Sequence, residues 1–160
     1  PRGAAAPSGG GCGTPQTGVV MSMFKIFDVA GSAVSAQSQR LNVVASNLAN
    51  ADTWAGPDGQ AYKARQVVFS TELMGAGGAQ GSAAAAGVRV TNITENETPG
   101  RRVHDPKHPA ADAQGYVTYS NVNAVEEMVN MISASRSYQS NVEVMNTARQ
   151  LLQKTLQLGQ

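Results

Sequence analysis

The sequence predicts an α+β protein: long N- and C-terminal helices packed as a coiled-coil hairpin, with a small β-rich central insert and a flexible loop. Three observations predict it. Apolar residues recur every seven positions in the first third of the chain. A stripe of three- and four-residue steps, free of Pro and Gly, fills its end. Between them lie short β-branched runs separated by Pro and Gly.

Residues 1–20 are rich in Pro, Gly and Ala, with Arg2 as their one charge, and are expected to form a disordered extension; Met21 and Met23 are both plausible starts. Residues 21–53 are read as the N-terminal helix of the coiled-coil domain, helical from Ser22 to about Asn50. Phe27, Val34, Leu41 and Leu48 are spaced by seven, with Ala30, Val44 and Ala51 on the alternating positions, and Gln37 breaks the stripe. Asn50, Asp52 and the Gly56-Pro57-Asp58-Gly59 run supply the stop.

Residues 54–120 are read as the β-rich insert. Strands are expected at 61–71, 87–95 and 115–119, and Trp54 and the tyrosines are expected to fill the insert and its junction with the helices. The Gly/Ala stretch 75–87 has almost no side chains to hold a structure and is expected to be a flexible loop. Residues 98–113 contain Pro99, Pro106 and Pro109 and are expected to be an extended loop. Residues 121–160 carry the C-terminal helix, from Ala124 to about Leu158. Asn123 is placed to cap it, with Glu126 and Glu127 favouring the positive end of its dipole. Its stripe is Met128, Met131, Ser135, Tyr138, Val142, Met145, Leu152 and Leu156, interrupted by Arg149. At 1.5 Å per residue such a helix is roughly 50 Å long.

Composition narrows the function. Charged residues are 14% of the chain, against roughly a quarter in ordinary soluble domains. The outer positions of both helices carry Ser, Ala, Asn and Gln where a solvated helix normally carries Lys and Glu. Such side chains permit close approach and hydrogen bonding between subunits without burying charge. This implies helices covered on both faces, although a monomeric hairpin with a plain surface fits the pattern equally well. The net charge is +1 with no basic block, so nucleic acid is not an expected partner. No apolar run approaches the roughly 20 residues of a membrane span, so no direct membrane insertion is expected. The single cysteine, Cys12, excludes an intrachain disulfide framework.

Catalytic signatures are missing from the sequence: no G-x-S-x-G elbow and no P-loop lysine after Gly75, Gly77 and Gly78. His104, Asp105 and His108, with Asp112 nearby, have a metal-like look. Pro106 and Pro109 stiffen the stretch, which is read as a structural turn. No enzyme activity, cofactor or metal is expected.

Two stretches carry a resemblance. FDVAGSAVSAQSQRLNVVASNLANADT, residues 27–53, resembles the N-terminal signature of the flagellar rod and hook axial-protein family, with Asn47, Leu48, Ala49 and Asn50 in its NLANADT end. Residues 103–159 are similar to the C-terminal half of the proximal-rod members of that family. They include the DPxHP turn of Asp105, Pro106, His108 and Pro109 and the GYVxYxNVN approach at 115–123. GPDGQAYKARQVVF, residues 56–69, also fits the proximal-rod members best, so the resemblance covers essentially residues 23–159.

The resemblance implies a structural subunit of the proximal rod in the flagellar basal body. It would be exported from the cytoplasm by the flagellar type III apparatus without a cleaved signal peptide and would polymerise through its terminal helices into the periplasm-spanning drive shaft. Implied partners are further copies of itself, other proximal-rod subunits, the distal rod, the adaptor at the export gate and inner-membrane ring, and the export apparatus. Another rod or hook subunit, or a soluble export adaptor, is the alternative. The residues expected to carry helix packing and polymerisation are Phe27, Val34, Leu41, Val44 and Leu48 on the first helix. On the second they are Met128, Ile132, Tyr138, Val142, Met145, Leu152 and Leu156. Leu41→Glu or Val142→Glu is expected to block incorporation into a rod and leave the subunit soluble, as read by fractionating cell extracts and basal bodies.

Overall fold

The computed structural model describes residues 16–56, 58–74 and 85–158. Their order is α1 (Gln16–Ala49), β1 (Arg65–Met74), β2 (Ala85–Glu95), β3 (Arg102–His104), β4 (Tyr116–Thr118) and α2 (Ala124–Leu158). Two long helices pack together and the β region lies between them in sequence. Arg40 of α1 reaches Asn130 of α2, and Asn47 reaches Glu127, while Ile26 shares a groove with Ser140 through Leu151. The two helices therefore run antiparallel.

α1 begins at Gln16, six residues before the expected Ser22. Residues 16–20, expected to be disordered, are helical. No Pro lies between Gln16 and Met23, and extending a helix already nucleated downstream costs far less than starting one. The remainder of that expected disordered extension, residues 1–15, lies outside the described residues, as do positions 75–84 of the expected flexible loop. Residues 85–87 of that loop instead open β2.

The buried residues of the helical pair are mostly small. Ala30, Ala36, Val44, Asn47 and Ala51 are buried on the first side, and Glu127, Ala134 and Ala148 on the second. The large members of the expected heptad, Phe27, Val34, Leu41 and Leu48, are half-buried along the edges. Alanines let the helix axes approach closely, which moves bulky neighbours from the centre of the contact to its flanks.

β1 and β2 form an antiparallel ribbon pairing Arg65 with Glu95 through Met74 with Ala85. A register shift at Val68/Phe69 leaves Thr91 as the extra residue. The ribbon lies along α1, where Ser32 Oγ accepts a hydrogen bond from the Val88 amide at 3.1 Å. β3 falls inside the stretch 98–113 that the prolines mark as loop. Pro99 and Pro106 bracket three residues, Arg102 to His104, whose backbone is free to pair with Thr118, Val117 and Tyr116. Val117, 1% exposed, is the most buried large side chain of the insert. Gly100 passes directly under the carbonyl of Tyr119, where no side chain fits.

Two asparagines hold the insert to the helices. Asn47 is fully buried (0% exposed). Its Nδ2 donates to the Arg65 carbonyl at 2.7 Å and to Glu127 Oε2 at 3.2 Å. Its Oδ1 accepts from the Arg65 amide at 2.9 Å and from Tyr62 Oη at 3.0 Å. Both donors and both lone pairs are used, which is the full capacity of a carboxamide. Asn121 accepts from the Ala64 amide at 2.6 Å and donates to the carbonyls of Asn96 and Thr98 at 2.9 and 2.8 Å. Ser120 Oγ donates to the Ala51 carbonyl at 2.6 Å, tying the end of α1 to the start of α2. Asn123 caps α2 as expected, its Oδ1 accepting from the Val125 amide at 3.1 Å.

Asn47→Ala strips hydrogen bonds from Arg65, Tyr62 and Glu127 together. It is expected to destabilise the fold by about 3 kcal/mol, since each polar group left unpaired in the interior costs roughly 1–3 kcal/mol. Urea unfolding followed by circular dichroism measures it, with exposed Ser38→Ala as a control expected within about 0.5 kcal/mol of the parent.

Candidate functional site

The surface with the strongest functional character is the outer side of the helical pair. On α2, Val125, Met128, Val129 and Ile132 are 71%, 53%, 62% and 57% exposed. Their steps of three, one and three residues place them on one helical face. Glu127 and Ala134, buried residues of the same helix, define the opposite side. Further along, Val144, Leu151, Leu156 and Leu158 are also exposed, as are Phe24 and Ile26 on α1. Between the helices lies an open groove of about 390 Å³, lined by Ile26, Val144, Ala148 and Leu151 among others.

The residues expected to carry helix packing and polymerisation divide into two groups. Val44 is buried, and Phe27, Val34, Leu41, Leu48, Tyr138, Val142, Met145 and Leu152 are half-buried along the pair. Met128, Ile132 and Leu156 are exposed, the first two on the side of α2 opposite buried Glu127 and Ala134. The set read from sequence thus mixes two faces, because exposed Ile132 lies roughly 100° around the helix from half-buried Met131. Val125 and Val129, outside the expected set, share the exposed face, and the three-and-four spacing from Val125 to Ile132 is its signal in the sequence.

Trp54 was expected to fill the insert, yet it is 52% exposed and meets the His108 ring edge-on at 5.1 Å. Tyr62, by contrast, does serve the junction through Asn47. Arg101 and Arg102 lie over the rings of Tyr119 and Tyr116, at 5.3 and 4.9 Å.

The motif residues at 47–50 end α1: Asn47 bridges to the insert and to α2, while Asn50 Nδ2 donates to the Ser46 carbonyl at 2.8 Å. Half-buried Leu48 and exposed Ala49 lie between them. The turn at 105–109 is held by its own backbone. Asp105 Oδ1 accepts from the Lys107 amide at 3.2 Å, and the His108 amide donates to the Asp105 carbonyl at 3.2 Å. His108 Nδ1 accepts from the Ala110 amide at 3.1 Å, and His104 packs edge-on against Tyr116 at 5.0 Å. Pro106 packs over Gly115, whose φ of +77° suits glycine. Among the described residues no three His, Cys, Asp or Glu side chains converge as metal ligands.

Asp112 closes this turn. The Tyr116 amide donates to its Oδ1 at 2.8 Å and is the main reason its carboxyl sits below the ordinary value of 3.8. Partial desolvation opposes that shift, while the Gln114 amide and Arg102 assist it. A depressed folded-state pKa gives stability that is present above 3.8 and lost as pH falls through the lower folded value. The amide of Tyr116 is therefore expected to lose exchange protection as pH drops below 3.8, and Asp112→Asn to remove that dependence, both read by NMR hydrogen exchange.

The chain matches known proteins along most of its length. Residues 27–54 match the family described as flagella basal body rod protein, and residues 113–158 match the flagellar basal body rod FlgEFG protein C-terminal family. Over 140 residues it is 58% identical to the flagellar basal-body rod protein FlgC of Yersinia enterocolitica and 56% identical to that of Escherichia coli O157:H7. It is 54% identical to that of Salmonella typhimurium. Each alignment covers 88% of this chain and 100% of the relative.

Proposed function

The chain belongs to the FlgC family of flagellar basal-body rod proteins, and from that premise we propose that it builds the rod through the outer faces of its terminal helices. It is a structural subunit of the rod, located in the periplasmic basal body, and not an enzyme. As a rod subunit it works in contact with other rod and hook proteins and with the export apparatus.

The observation that carries the proposal is the four-residue apolar face of α2, Val125 to Ile132, displayed on a chain with few charges. Burying such a face against a neighbour gains roughly 25 cal/mol per Å² of apolar surface removed from water. Ser133 beside it offers a hydrogen bond without a charge to desolvate, and exposed Glu126 flanks it. Contacts between unlike surfaces propagate as an open helical array, which a shaft requires. The subunit reaches that array by flagellar type III export without a cleaved leader. Its neighbours are other proximal-rod subunits, the distal rod and the adaptor at the export gate and inner-membrane ring.

Leu41 and Val142 are half-buried in the helical pair, so a glutamate at either position also strains the subunit itself. Val129, 62% exposed, separates assembly from folding. Val129→Glu is expected to leave the circular dichroism and thermal midpoint of the subunit unchanged and to lower its recovery in purified hook–basal bodies at least tenfold. Mass spectrometry of those preparations gives the measure. Finding the parent chain in the cytosol but not in basal bodies would reverse the functional assignment.

A further inference from the structure

Resting on the reading of this chain as a rod subunit, we propose that the cavity between α1, β1 and the first turns of α2 is a socket for a lysine side chain. The lysine belongs to a neighbouring rod protein other than this chain, and its ammonium pairs with Glu127 and Glu126.

The socket is an open cavity of about 360 Å³ where the insert meets the helices. Val43, Val44, Val67 and Phe69 supply its apolar lining, and Arg40, Arg65, Glu126 and Glu127 its charge. Glu127 is the reason to expect an occupant. It is 9% exposed, and an ionised carboxylate taken out of water is costly unless it is paired and fully hydrogen-bonded. Its Oε2 accepts from the Asn47 carboxamide at 3.2 Å, longer than the roughly 2.7–2.9 Å of a charge-assisted bond. Among the described residues Oε1 accepts no hydrogen bond, and neither Glu127 nor Glu126 joins an ion pair. The positive end of the α2 dipole favours both carboxylates but offers far less than a cation in contact.

The cations that line the cavity are engaged elsewhere. Arg65 pairs with Glu95 at 3.3 Å and lies over the Tyr62 ring at 5.8 Å, and Arg40 donates to Asn130 Oδ1 at 3.2 Å. With Arg65 and Glu95 cancelling, two carboxylates face Arg40 alone, an excess of one negative charge. One ammonium neutralises it. Lysine suits the space better than arginine, because its methylene stem lies along Val67 and Phe69 while the compact head reaches both glutamates without crowding the Arg40 fork. Of this chain's own lysines, Lys63 is held by Glu97 at 2.7 Å and Lys25 has an interaction of its own, which favours a different rod protein as the donor. The contact lies at the insert junction, so it fixes how a neighbour sits against the insert and charge selects that neighbour.

The test treats isolated hook–basal bodies with a water-soluble carbodiimide, which joins a carboxylate to an amine only where the two touch. Mass spectrometry is expected to find Glu126 or Glu127 coupled to a lysine of a different rod protein. Glu127→Gln keeps an acceptor for Asn47 and removes the charge. It is expected to leave the thermal midpoint of the free subunit at or above the parent's, while raised salt releases the variant from basal bodies at least fivefold more readily. Glu126→Gln, at an exposed position, serves as the second variant should Glu127→Gln fold poorly. Retention of the folded variants equal to the parent's would overturn the socket. So would coupling of either glutamate to this chain's own lysines alone, or no coupling in basal bodies that contain the chain; the rod assignment stands in each case. Absence of the parent chain from basal bodies would instead overturn the rod assignment.

Discussion

The junction of the two helices with the insert depends on the four hydrogen bonds of Asn47. An asparagine with no exposure to water is tolerable only when its whole hydrogen-bonding capacity is met, and here both ends of the carboxamide are used. The partners come from three parts of the chain: Arg65 at the start of the ribbon, Tyr62 in the approach to it, and Glu127 in the first turn of α2. One side chain on α1 therefore fixes where β1 starts and where α2 begins. Asn121 and Ser120 extend the same device, binding residues 64, 96, 98 and 51 around the end of the insert. This junction is built from directional polar contacts because the surrounding core is small. Ala30, Ala51, Ala134 and Ala148 bring backbones close but remove little apolar surface from water each.

That choice has a consequence for the outside of the molecule. A seam lined with alanine leaves the larger apolar side chains of α2 without an intrachain partner, and Val125, Val129 and Ile132 face outward. A monomer with this surface would carry an association hazard. In the proposed rod contact the same surface is the material of assembly, and the low charge of the chain keeps the cost of covering it low. The subunit is held together by a polar junction and a close helical contact, while Val125, Met128, Val129 and Ile132 are left exposed and, in the proposed assembly, meet neighbours.

Much of the fold was legible in the residues, and for identifiable reasons. α2 ends within a residue of expectation because Asn123 is a strong cap and no breaker intervenes before Gly159. The ribbon was legible from the β-branched runs around Val67 and Val88. β3 was not, since three residues among prolines carry no period and acquire strand geometry only by pairing with Tyr116 to Thr118. The heptad of Phe27, Val34, Leu41 and Leu48 correctly announced a helix laid on another, yet the buried centre of the contact fell on the alanines.

The sequence by itself determined that two long helices flank a β-rich insert, because periodicity, caps and breakers act locally and need no knowledge of the partner. It also carried the NLANADT and DPxHP signatures that relate the chain to the rod proteins. Tertiary structure alone decided which side of each helix is inside, since that depends on how closely two axes approach, a property of both helices together. It likewise decided that Asn47, marked in the sequence only as the first residue of the NLANADT signature, is the buried joint between insert and helices. Its three partner residues are scattered from position 62 to 127 and meet only when the chain has folded.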